Sequence, residues 1–385
     1  MKIATVLGAR PQFIKAAAVS RAIREHNLSS DINIDELIIH TGQHFERRMS
    51  ELFFEEMQIP SPDYHLGINS MDHGAMTGRM LEGIESILLK EKPEYVLVYG
   101  DTTSTLAGAL AAKKLSIKVA HIEAGLRSFN MMMPEEINRV ITDRISDILC
   151  CPTQTAVENL KKEGFDNFGC KIFKTGDVMY DSVLFYSEHS SLKSDIMDRT
   201  GLSDMDFVLC TVHRAENTDD IGRLYTIVEA LGEIASEIEA VFPVHPRTRN
   251  ILNSSGLIGK LGKVRLIEPV GYFDMIELMK NTRCVLTDSG GLQKEAFFFA
   301  KPCIVLRDQT EWIELLDSGS NRLAGAERDV ILECYNSFKP LFIGNPSADL
   351  KSGPGLYGNG KASYEIVRCL IGSGDSDKTH LESQI

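Results

Sequence analysis

The stretch LTDSGGLQKEAFFFAKPCIVLRD, residues 286–308, decides how this chain folds. An apolar segment runs into Asp-Ser-Gly-Gly, a helical segment follows, and a second apolar segment ends at Arg-Asp. This order is typical of a βαβ unit in a parallel sheet. Glycines at the start of a helix allow close backbone approach, and the free N–H groups and helix dipole there favour an anion. The stretch therefore predicts a phosphate site, although a tight turn without a ligand fits it equally well.

The same alternation of strands and helices extends along the chain. Apolar strands in the first half are KIATVLG, DELIIHTG, YVLVYG and KVAHIEAG, and the second half repeats the scheme with DFVLCTVHRAEN, EAVFPVHPRT and VRLIEPVGY. Near-continuous apolar strands indicate parallel sheets covered on both faces. Because 385 residues exceed a single core, we expect two doubly wound α/β domains facing a cleft. We place them at 1–180 and 181–355, with a last helix at 356–372 and a frayed tail at 373–385.

Composition excludes several classes of protein. With 43% apolar and 25% charged residues, the chain is an ordinary globular protein, and its net charge of −13 argues against binding to nucleic acid or anionic membranes. Apolar runs are too short for a signal peptide or a membrane span. The eight cysteines form no CxxC pair, so we expect free thiols in a reducing cytoplasm.

Acidic residues stand where ligands bind in such folds, at the carboxyl ends of strands. Asp101 and Glu123 each end a strand, and Glu135 and Glu136 begin a helix after Pro134. Crowded carboxylates suit acid/base catalysis because burial and mutual repulsion separate their pKa values. For each residue alone, a surface acid or a helix N-cap remains the alternative, and Asp101 before Thr-Thr-Ser suits an N-cap.

Basic residues form a second group of candidates. Arg10 and Lys15 in GARPQFIK follow a strand and a glycine, so both suit a phosphate, with an exposed helix lysine as the alternative for Lys15. His213 and His245 end strands of the second half, where the alternative is a buried core histidine. Glu295, one turn into the 286–308 helix, suits two ribose hydroxyls or, alternatively, a solvated helix position. We expect no metal site, because no HExxH or CxxC motif occurs.

These motifs occur in an order that resembles a known family. The set GARPQFIK, HTGQH, VYGDTTST, HIEAGLRS, PEEINR, VHRAEN, HPRT, LTDSGGLQKEA and LRDQTEW resembles the non-hydrolysing UDP-N-acetylglucosamine 2-epimerases over residues 2 to about 370. The resemblance implies a glycosyltransferase type B architecture with a C-terminal helix crossing back to the first domain. It also implies a cofactor-independent elimination of UDP, a 2-acetamidoglucal intermediate and re-addition. A cytoplasmic homodimer serving surface polysaccharide (O-antigen) synthesis is expected on the same ground.

The resemblance also implies roles for particular residues. Asp101, Glu123 and Glu135 map to the acid/base set, and His213 maps to the diphosphate side. Mapping to UDP binding are Arg10, Ser289, Gly290, Gly291 and Glu295. We add as candidate contacts of UDP or sugar Lys15, Arg127, His245, Tyr272 and Arg307. Gln43 is the candidate for a second sugar-nucleotide site, although the following loop GINSMDHGAMTGRM departs from the family pattern.

The substrate stays open between two UDP-amino sugars. The segments RSFNMMMPEEINR and LRDQTEW resemble a subgroup acting on UDP-2,3-diacetamido-2,3-dideoxyglucuronate, whose carboxylate would need a partner such as Arg127, Arg247 or Gln309. The other candidate is UDP-N-acetylglucosamine. More distant alternatives are a glycosyltransferase, a hydrolysing epimerase and a catalytically silent UDP-sugar-binding regulator, but three grouped carboxylates favour epimerisation.

Overall fold

The structure, a computed structural model, describes residues 1–43, 59–342 and 355–382, with side chains described up to residue 372. The chain forms two compact units, Met1–Ser182 with Pro354–Ile385, and Val183–Gly353. Each unit contains a parallel sheet interleaved with helices, so the predicted α/β class is confirmed.

The first unit is built on a seven-stranded parallel sheet in its described part, ordered β3-β2-β1-β4-β5-β6-β7. Its strands are β1 Lys2–Leu7, β2 Asp35–His40, β3 Tyr64–His65, β4 Tyr95–Tyr99, β5 Lys118–Ile122, β6 Ile148–Cys151 and β7 Lys171–Lys174. Its helices are α1 Arg10–Ser29, α2 His73–Glu91, α3 Thr103–Lys114, α4 Pro134–Ile145 and α5 Gln154–Lys162, with a short 3₁₀ helix Phe165–Asn167. Helix α6 Val178–Ser187 begins in the first unit and ends in the second.

The second unit has six parallel strands in its described part, ordered β10-β9-β8-β11-β12-β13. The strands are β8 Phe207–Thr211, β9 Glu239–Pro243, β10 Arg265–Ile267, β11 Cys284–Thr287, β12 Cys303–Val305 and β13 Asn321–Leu323. The helices are α7 Ser190–Lys193, α8 Ile196–Thr200, α9 Ala215–Thr218, α10 Ile221–Ile234, α11 Pro246–Ser254, α12 Tyr272–Asn281, α13 Gly290–Phe298, α14 Ile313–Asp317 and α15 Arg328–Phe338, with 3₁₀ helices Leu257–Lys260 and Lys339–Phe342.

Apolar strands need covering on both faces, and the central strands receive it. Every residue of β4 is buried. Helix α3 approaches the sheet closely, because a Cβ on its Gly108 would lie 3.1 Å from both Val6 and Val98. Burying one such aliphatic side chain contributes about 1.5–3 kcal/mol. The sheet core therefore holds the strand ends, which carry the candidate site, in fixed register.

The last helix, α16 Ala362–Glu382, belongs to the first unit. Asp181 accepts hydrogen bonds from the backbone N–H groups of Ala362 and Ser363 at 3.1 and 2.7 Å, which caps the start of the helix. Ile366 and Leu370 are buried. The helix runs on to Glu382, ten residues beyond the end at residue 372 that the sequence analysis predicted. No proline follows residue 372 to end the helix.

Two further predictions concern membranes and thiols. Among the described residues, none of the helices combines the length and apolarity that crossing a bilayer requires. All eight cysteines are free, and six of them are buried. Burial raises the pKa of the Cys210 and Cys284 thiols well above the ordinary value, so these thiols are uncharged packing groups.

Candidate active site

Asp101 and Glu123 follow two adjacent strands of the first unit. Tyr99 of β4 pairs with Ile122 of β5, so Asp101 and Glu123, which follow them, lie at the same edge of the sheet. Glu123 is buried, and its φ of +73° is in the left-handed region, which residues other than glycine rarely adopt. Such backbone strain, costing about 1–3 kcal/mol, is concentrated at functional sites. The structure therefore singles out Glu123 among the predicted acids.

Lys15 of α1 is the partner of Glu123. The two side chains form a buried ion pair, so the alternative of an exposed helix lysine is wrong. The turn before Asp101 is shaped around this pair, since a Cβ on Gly100 would lie 3.0 Å from Glu123 Oε2 and 3.2 Å from Lys15 Nζ. Gly100 also has a φ of +64°. Only glycine combines this conformation with this close approach.

Asp101 is held by helix α4. Arg139 donates to Asp101 Oδ2 from Nε at 3.0 Å and from Nη2 at 2.7 Å, and Asn138 Nδ2 donates to the Asp101 carbonyl at 2.8 Å. The N-cap of α3 is Thr102, whose side chain accepts from the Thr105 N–H at 3.3 Å. The N-cap alternative for Asp101 is therefore wrong, and its carboxylate is directed to a guanidinium instead.

Helix α4 buries polar side chains that the sequence analysis did not assign. Glu136 pairs with Arg139 and accepts from the backbone N–H groups of Ser128 and Phe129 at 3.0 and 2.8 Å. It therefore orders the loop before α4. The sequence analysis named Glu136 but gave it no partner, and the signal for its pairing is the i, i+3 spacing of Glu136 and Arg139 in PEEINR. Glu135, on the first turn, is half-buried and has no hydrogen-bond or ion-pair partner within the described side chains.

Arg127, predicted to contact UDP or the sugar, is buried and bonded to two carboxylates. Its Nη1 donates to Asp143 at 2.7 Å, and its Nε and Nη2 donate to Glu163 at 2.7 and 2.8 Å. Burial opposes its charge, but these two carboxylates outweigh burial and raise the pKa of Arg127 above its ordinary value. Since Nη1 also donates to the Leu126 carbonyl, the guanidinium is committed to a buried network rather than to a ligand.

The GARPQ segment is fastened by Gln12. Gln12 Oε1 accepts from the N–H groups of Gly8 and Ala9, and Gln12 Nε2 donates to the Tyr99 carbonyl and to Thr105 Oγ1, at 2.8 to 3.0 Å. All four hydrogen-bonding positions of the amide are used. The amide thus joins the β1–α1 turn to β4 and α3. Arg10, half-buried, is the first residue of α1.

Gln43 is placed at the start of α3. Its Oε1 accepts from the Ser104 N–H at 3.2 Å and from Ser104 Oγ at 2.8 Å. The following histidine of the HTGQH motif lies outside the described residues. The prediction of a second sugar-nucleotide site at Gln43 therefore stays a prediction.

In the second unit, DSGG forms the predicted turn between β11 and α13. Ser289 is the N-cap and accepts from the Leu292 N–H at 3.4 Å, and Gly290 and Gly291 begin the helix. The first N–H groups of a helix have no partner within it, so this end suits an anion. A Cβ on Gly290 would lie 2.6 Å from Glu311 Oε1, so a side chain has no room there.

Asp288 is the residue of this motif that the sequence analysis missed. It is fully buried and accepts from the backbone N–H groups of His213 and Arg214 and from Asn217 Nδ2. His213 Nδ1 lies 3.1 Å from Asp288 Oδ1. Burial would raise the pKa of Asp288, but the hydrogen bonds and charge of His213, with the Arg214 and His213 N–H groups, lower it below the ordinary value. Asp288 therefore orients His213, whose side chain is half-exposed.

The remaining candidates of this unit fall into two environments. Glu295 and Tyr272 are buried, with Tyr272 Oη donating to Glu295 Oε1 at 3.4 Å, so the solvated alternative for Glu295 is wrong. Arg307 is buried and donates to Glu311 at 2.9 Å. His245 is exposed and caps α11, where its Nδ1 accepts from the Arg247 N–H at 3.3 Å. Because neither His213 nor His245 is buried, the core-histidine alternative is wrong for both.

The comparison with known families decides the class of the protein. A family model described as UDP-N-acetylglucosamine 2-epimerase matches residues 26–371.

The chain belongs to the UDP-N-acetylglucosamine 2-epimerase family.

This epimerase has relatives whose sequences align with nearly its whole length. It is 54% identical over 371 residues to the UDP-2,3-diacetamido-2,3-dideoxy-D-glucuronate 2-epimerase of Pseudomonas aeruginosa, covering 96% of this chain and 99% of the relative. The crystal structure of Methanocaldococcus jannaschii UDP-GlcNAc 2-epimerase in complex with UDP-GlcNAc and UDP has a TM-score of 0.86 and 43% identity, covering 96% and 99% of the two chains. The Neisseria meningitidis enzyme bound to UDP-GlcNAc has the same TM-score at 32% identity, covering 96% and 100%.

Family membership confirms the resemblance, the fold class and the enzyme class, a carbohydrate epimerase acting on a UDP-linked amino sugar. Over residues 1–43, 59–342 and 355–372, no group of three or more His, Cys, Asp or Glu residues has metal-binding geometry.

Proposed function

We propose that this epimerase inverts C2 of UDP-2,3-diacetamido-2,3-dideoxyglucuronate and so forms the corresponding mannuronate. The observation that carries the choice of substrate is the 54% identity, over almost the full length of both chains, to the Pseudomonas aeruginosa enzyme named for it. UDP-N-acetylglucosamine is the second candidate, since the Methanocaldococcus jannaschii UDP-N-acetylglucosamine 2-epimerase is 43% identical over 377 residues.

The proposed reaction is an elimination followed by a re-addition. A carboxylate removes the C2 proton while the C1–O bond breaks, so the bonding electrons leave with UDP and a 2-acetamidoglucal double bond forms between C1 and C2. UDP then adds back to C1, and a proton is delivered to the opposite face of C2. Two acid/base groups and a site that retains the departing diphosphate are therefore required.

The first unit supplies the acid/base groups in this proposal. Asp101 and Glu123 leave adjacent strands, and each carboxylate has a cationic partner, Arg139 for Asp101 and Lys15 for Glu123. These partners fix the direction of each carboxylate, which proton transfer at a carbon requires. Glu135, without such a partner among the described side chains, completes the predicted set.

The second unit supplies the groups for UDP. The free N–H groups at the start of α13 and the half-exposed His213 suit a diphosphate, and Asp288 keeps the His213 ring oriented. Glu295, oriented by Tyr272, suits the ribose hydroxyls because a carboxylate accepts two hydrogen bonds.

Deuterium exchange tests this proposal. The enzyme is incubated with each of the two UDP-amino sugars in deuterated water, without an acceptor, and C2 is followed by NMR. We expect deuterium at C2 with the UDP linkage intact, faster with the diacetamido uronate. Faster exchange with UDP-N-acetylglucosamine would reverse the choice of substrate. Accumulation of free sugar would favour the hydrolysing reaction, and no exchange with either sugar would refute the epimerase.

A variant separates proton transfer from binding. Glu123→Gln removes the acid/base group and leaves the second unit unchanged, so we expect exchange to be lost while calorimetry still detects UDP binding. His26→Gln, at the far end of α1, is the control for a substitution in the same unit. Retained exchange in Glu123→Gln would remove Glu123 from the proposed mechanism.

A further inference from the structure

His121 and Asp143 form a fully buried pair behind the acidic strand ends. His121 precedes the last residue of β5, and its Nδ1 lies 2.6 Å from Asp143 Oδ1 of α4. Its Nε2 lies 2.7 Å from the carbonyl oxygen of Gly100. Both side chains have no solvent exposure. The motif HIEAG contains His121, and Asp143 lies four residues after the end of PEEINR, but the acid/base assignment uses neither residue.

The hydrogen-bond partners determine the charge of His121. A carbonyl oxygen only accepts, and an ionised carboxylate only accepts, so both ring nitrogens carry hydrogen and the ring is an imidazolium. The other oxygen of Asp143, Oδ2, accepts from the Gly125 N–H at 3.1 Å and from Arg127 Nη1 at 2.7 Å. A carboxylate with these three donors is held ionised.

The charges around this pair balance. His121 and Arg127 carry one positive charge each, while Asp143 and Glu163 carry one negative charge each. Burial would raise the pKa of Asp143, but the charge and hydrogen bond of His121, followed by those of Arg127, lower it below the ordinary value. The neighbouring thiol of Cys151 is uncharged, because burial raises its pKa far above the ordinary value. A buried cluster without net charge avoids the cost of an unpaired ion.

The pair connects the two turns that carry the acidic residues. Gly100 precedes Asp101 and has a φ of +64°, and Gly125 follows Glu123 by two residues and has a φ of +80°. Glu123 itself has a φ of +73°. Glycine adopts such a φ without strain, but for Glu123 this conformation persists only where the surroundings hold it. His121 holds the first turn through the Gly100 carbonyl, and Asp143 holds the second through the Gly125 N–H.

We propose that His121 is a positioning residue of the epimerase: an imidazolium paired with Asp143 that fixes the Gly100 and Gly125 turns and thereby aims the carboxylates of Asp101 and Glu123. This inference rests on the proposed function, because it takes those two carboxylates as the proton-transfer groups. It assigns His121 no contact with the sugar or with UDP.

Ring-nitrogen NMR tests the charge. In enzyme labelled with ¹⁵N-histidine, the signals missing from His121→Gln identify His121. An ordinary histidine titrates near pH 6.5 and is neutral at about pH 8. At about pH 8 we expect both His121 nitrogens to carry hydrogen, because each of them faces an oxygen that only accepts. A neutral ring at about pH 8 would overturn the imidazolium.

Kinetics test the positioning. Gln cannot donate to both Asp143 and Gly100 in the same way, so in His121→Gln we expect kcat to fall about 100-fold, as for a displacement of roughly 1 Å. The KM should change less than about threefold, because UDP is bound by other residues. His26→Gln, whose ring is hydrogen-bonded to the Ile32 carbonyl at 2.9 Å, is the control for a histidine of the same unit outside this network. An unchanged kcat in a folded His121→Gln enzyme would overturn the positioning role.

Asp143→Asn keeps the shape of the pair and guards against misfolding. Asn Oδ1 can accept from Gly125 and Arg127, while its amide donates to a neutral His121 that still donates to Gly100. We expect the imidazolium signals to disappear and kcat to fall less than in His121→Gln. Persistence of the imidazolium would refute Asp143 as its counter-ion. If wild-type enzyme exchanges no C2 hydrogen, the proposed function fails. If it exchanges and His121→Gln does too at the same rate, only the positioning role fails.

Discussion

Replacing Gly100 by alanine tests whether the turn before Asp101 is built around the Glu123–Lys15 pair. The new Cβ would stand 3.0 Å from Glu123 Oε2 and 3.2 Å from Lys15 Nζ, closer than ordinary packing allows. Both side chains are buried, so the pair must shift by a few tenths of an ångström rather than turn into solvent. The substitution therefore displaces a candidate catalytic carboxylate without altering its chemistry.

The loss of folding stability in Gly100→Ala has two parts, one from the backbone conformation and one from the new contacts of the Cβ. At a φ of +64°, an alanine costs about 1–2 kcal/mol of stability whatever surrounds it. Disturbing the buried ion pair adds to this, up to the roughly 3–5 kcal/mol that loss of one partner costs. Gly164→Ala in the same unit is the matched control, because its φ is +78° and the nearest atom, Asn167 Nδ2, lies at an ordinary 3.7 Å.

The assay combines urea unfolding with C2 deuterium exchange. We expect both variants to lose the backbone part of the stability, and Gly100→Ala to lose about 1–3 kcal/mol more. Only Gly100→Ala should lose activity, with kcat falling about 10- to 100-fold, because a carboxylate displaced by a fraction of an ångström transfers protons poorly. Equal stability losses, with kcat unchanged in Gly100→Ala, would refute the reasoning.

Three further perturbations test other parts of the structure. Burial, followed by the charge of His65, lowers the pKa of His40 from 6.5 to about 4. Because the folded protein binds this proton less readily than the unfolded chain, the contribution to stability is complete above pH 6.5 and is lost as the pH falls toward 4. At pH 5 this loss of stability is about 2 kcal/mol, and urea unfolding should show that His40→Phe lacks it. If the stability of wild type and of His40→Phe depended on pH in the same way, His40 would not be the titrating group. Gln12→Glu turns a carboxylate toward the Tyr99 carbonyl and should cost about 1–3 kcal/mol, whereas an unchanged urea midpoint would disprove the four-bond arrangement. Asp288→Asn removes the carboxylate that orients His213 in the proposed diphosphate site. It should therefore weaken UDP binding, measured by calorimetry, and lower kcat about tenfold or more, measured by exchange. Wild-type UDP affinity together with wild-type kcat would argue against orientation by Asp288.

Local patterns predicted the class of fold and the family well. Strands such as β4 are apolar at every position, and this follows from a parallel sheet buried on both faces. DSGG predicted its own turn and helix start because glycine and serine preferences act within a few residues. The end of α16 was missed, since the polar residues after 372 reduce helix propensity without forbidding a helix.

The sequence by itself determined two doubly wound α/β regions, the strand ends that carry Asp101, Glu123 and His213, and the epimerase family. Only the tertiary structure decided the partners of these groups: Lys15 for Glu123, Arg139 for Asp101 and Asp288 for His213. Lys15 and Glu123 are 108 residues apart in sequence, so no local period relates them. Burial makes such pairing obligatory, because an ion removed from water must find an opposite charge, and the fold alone brings that charge within reach.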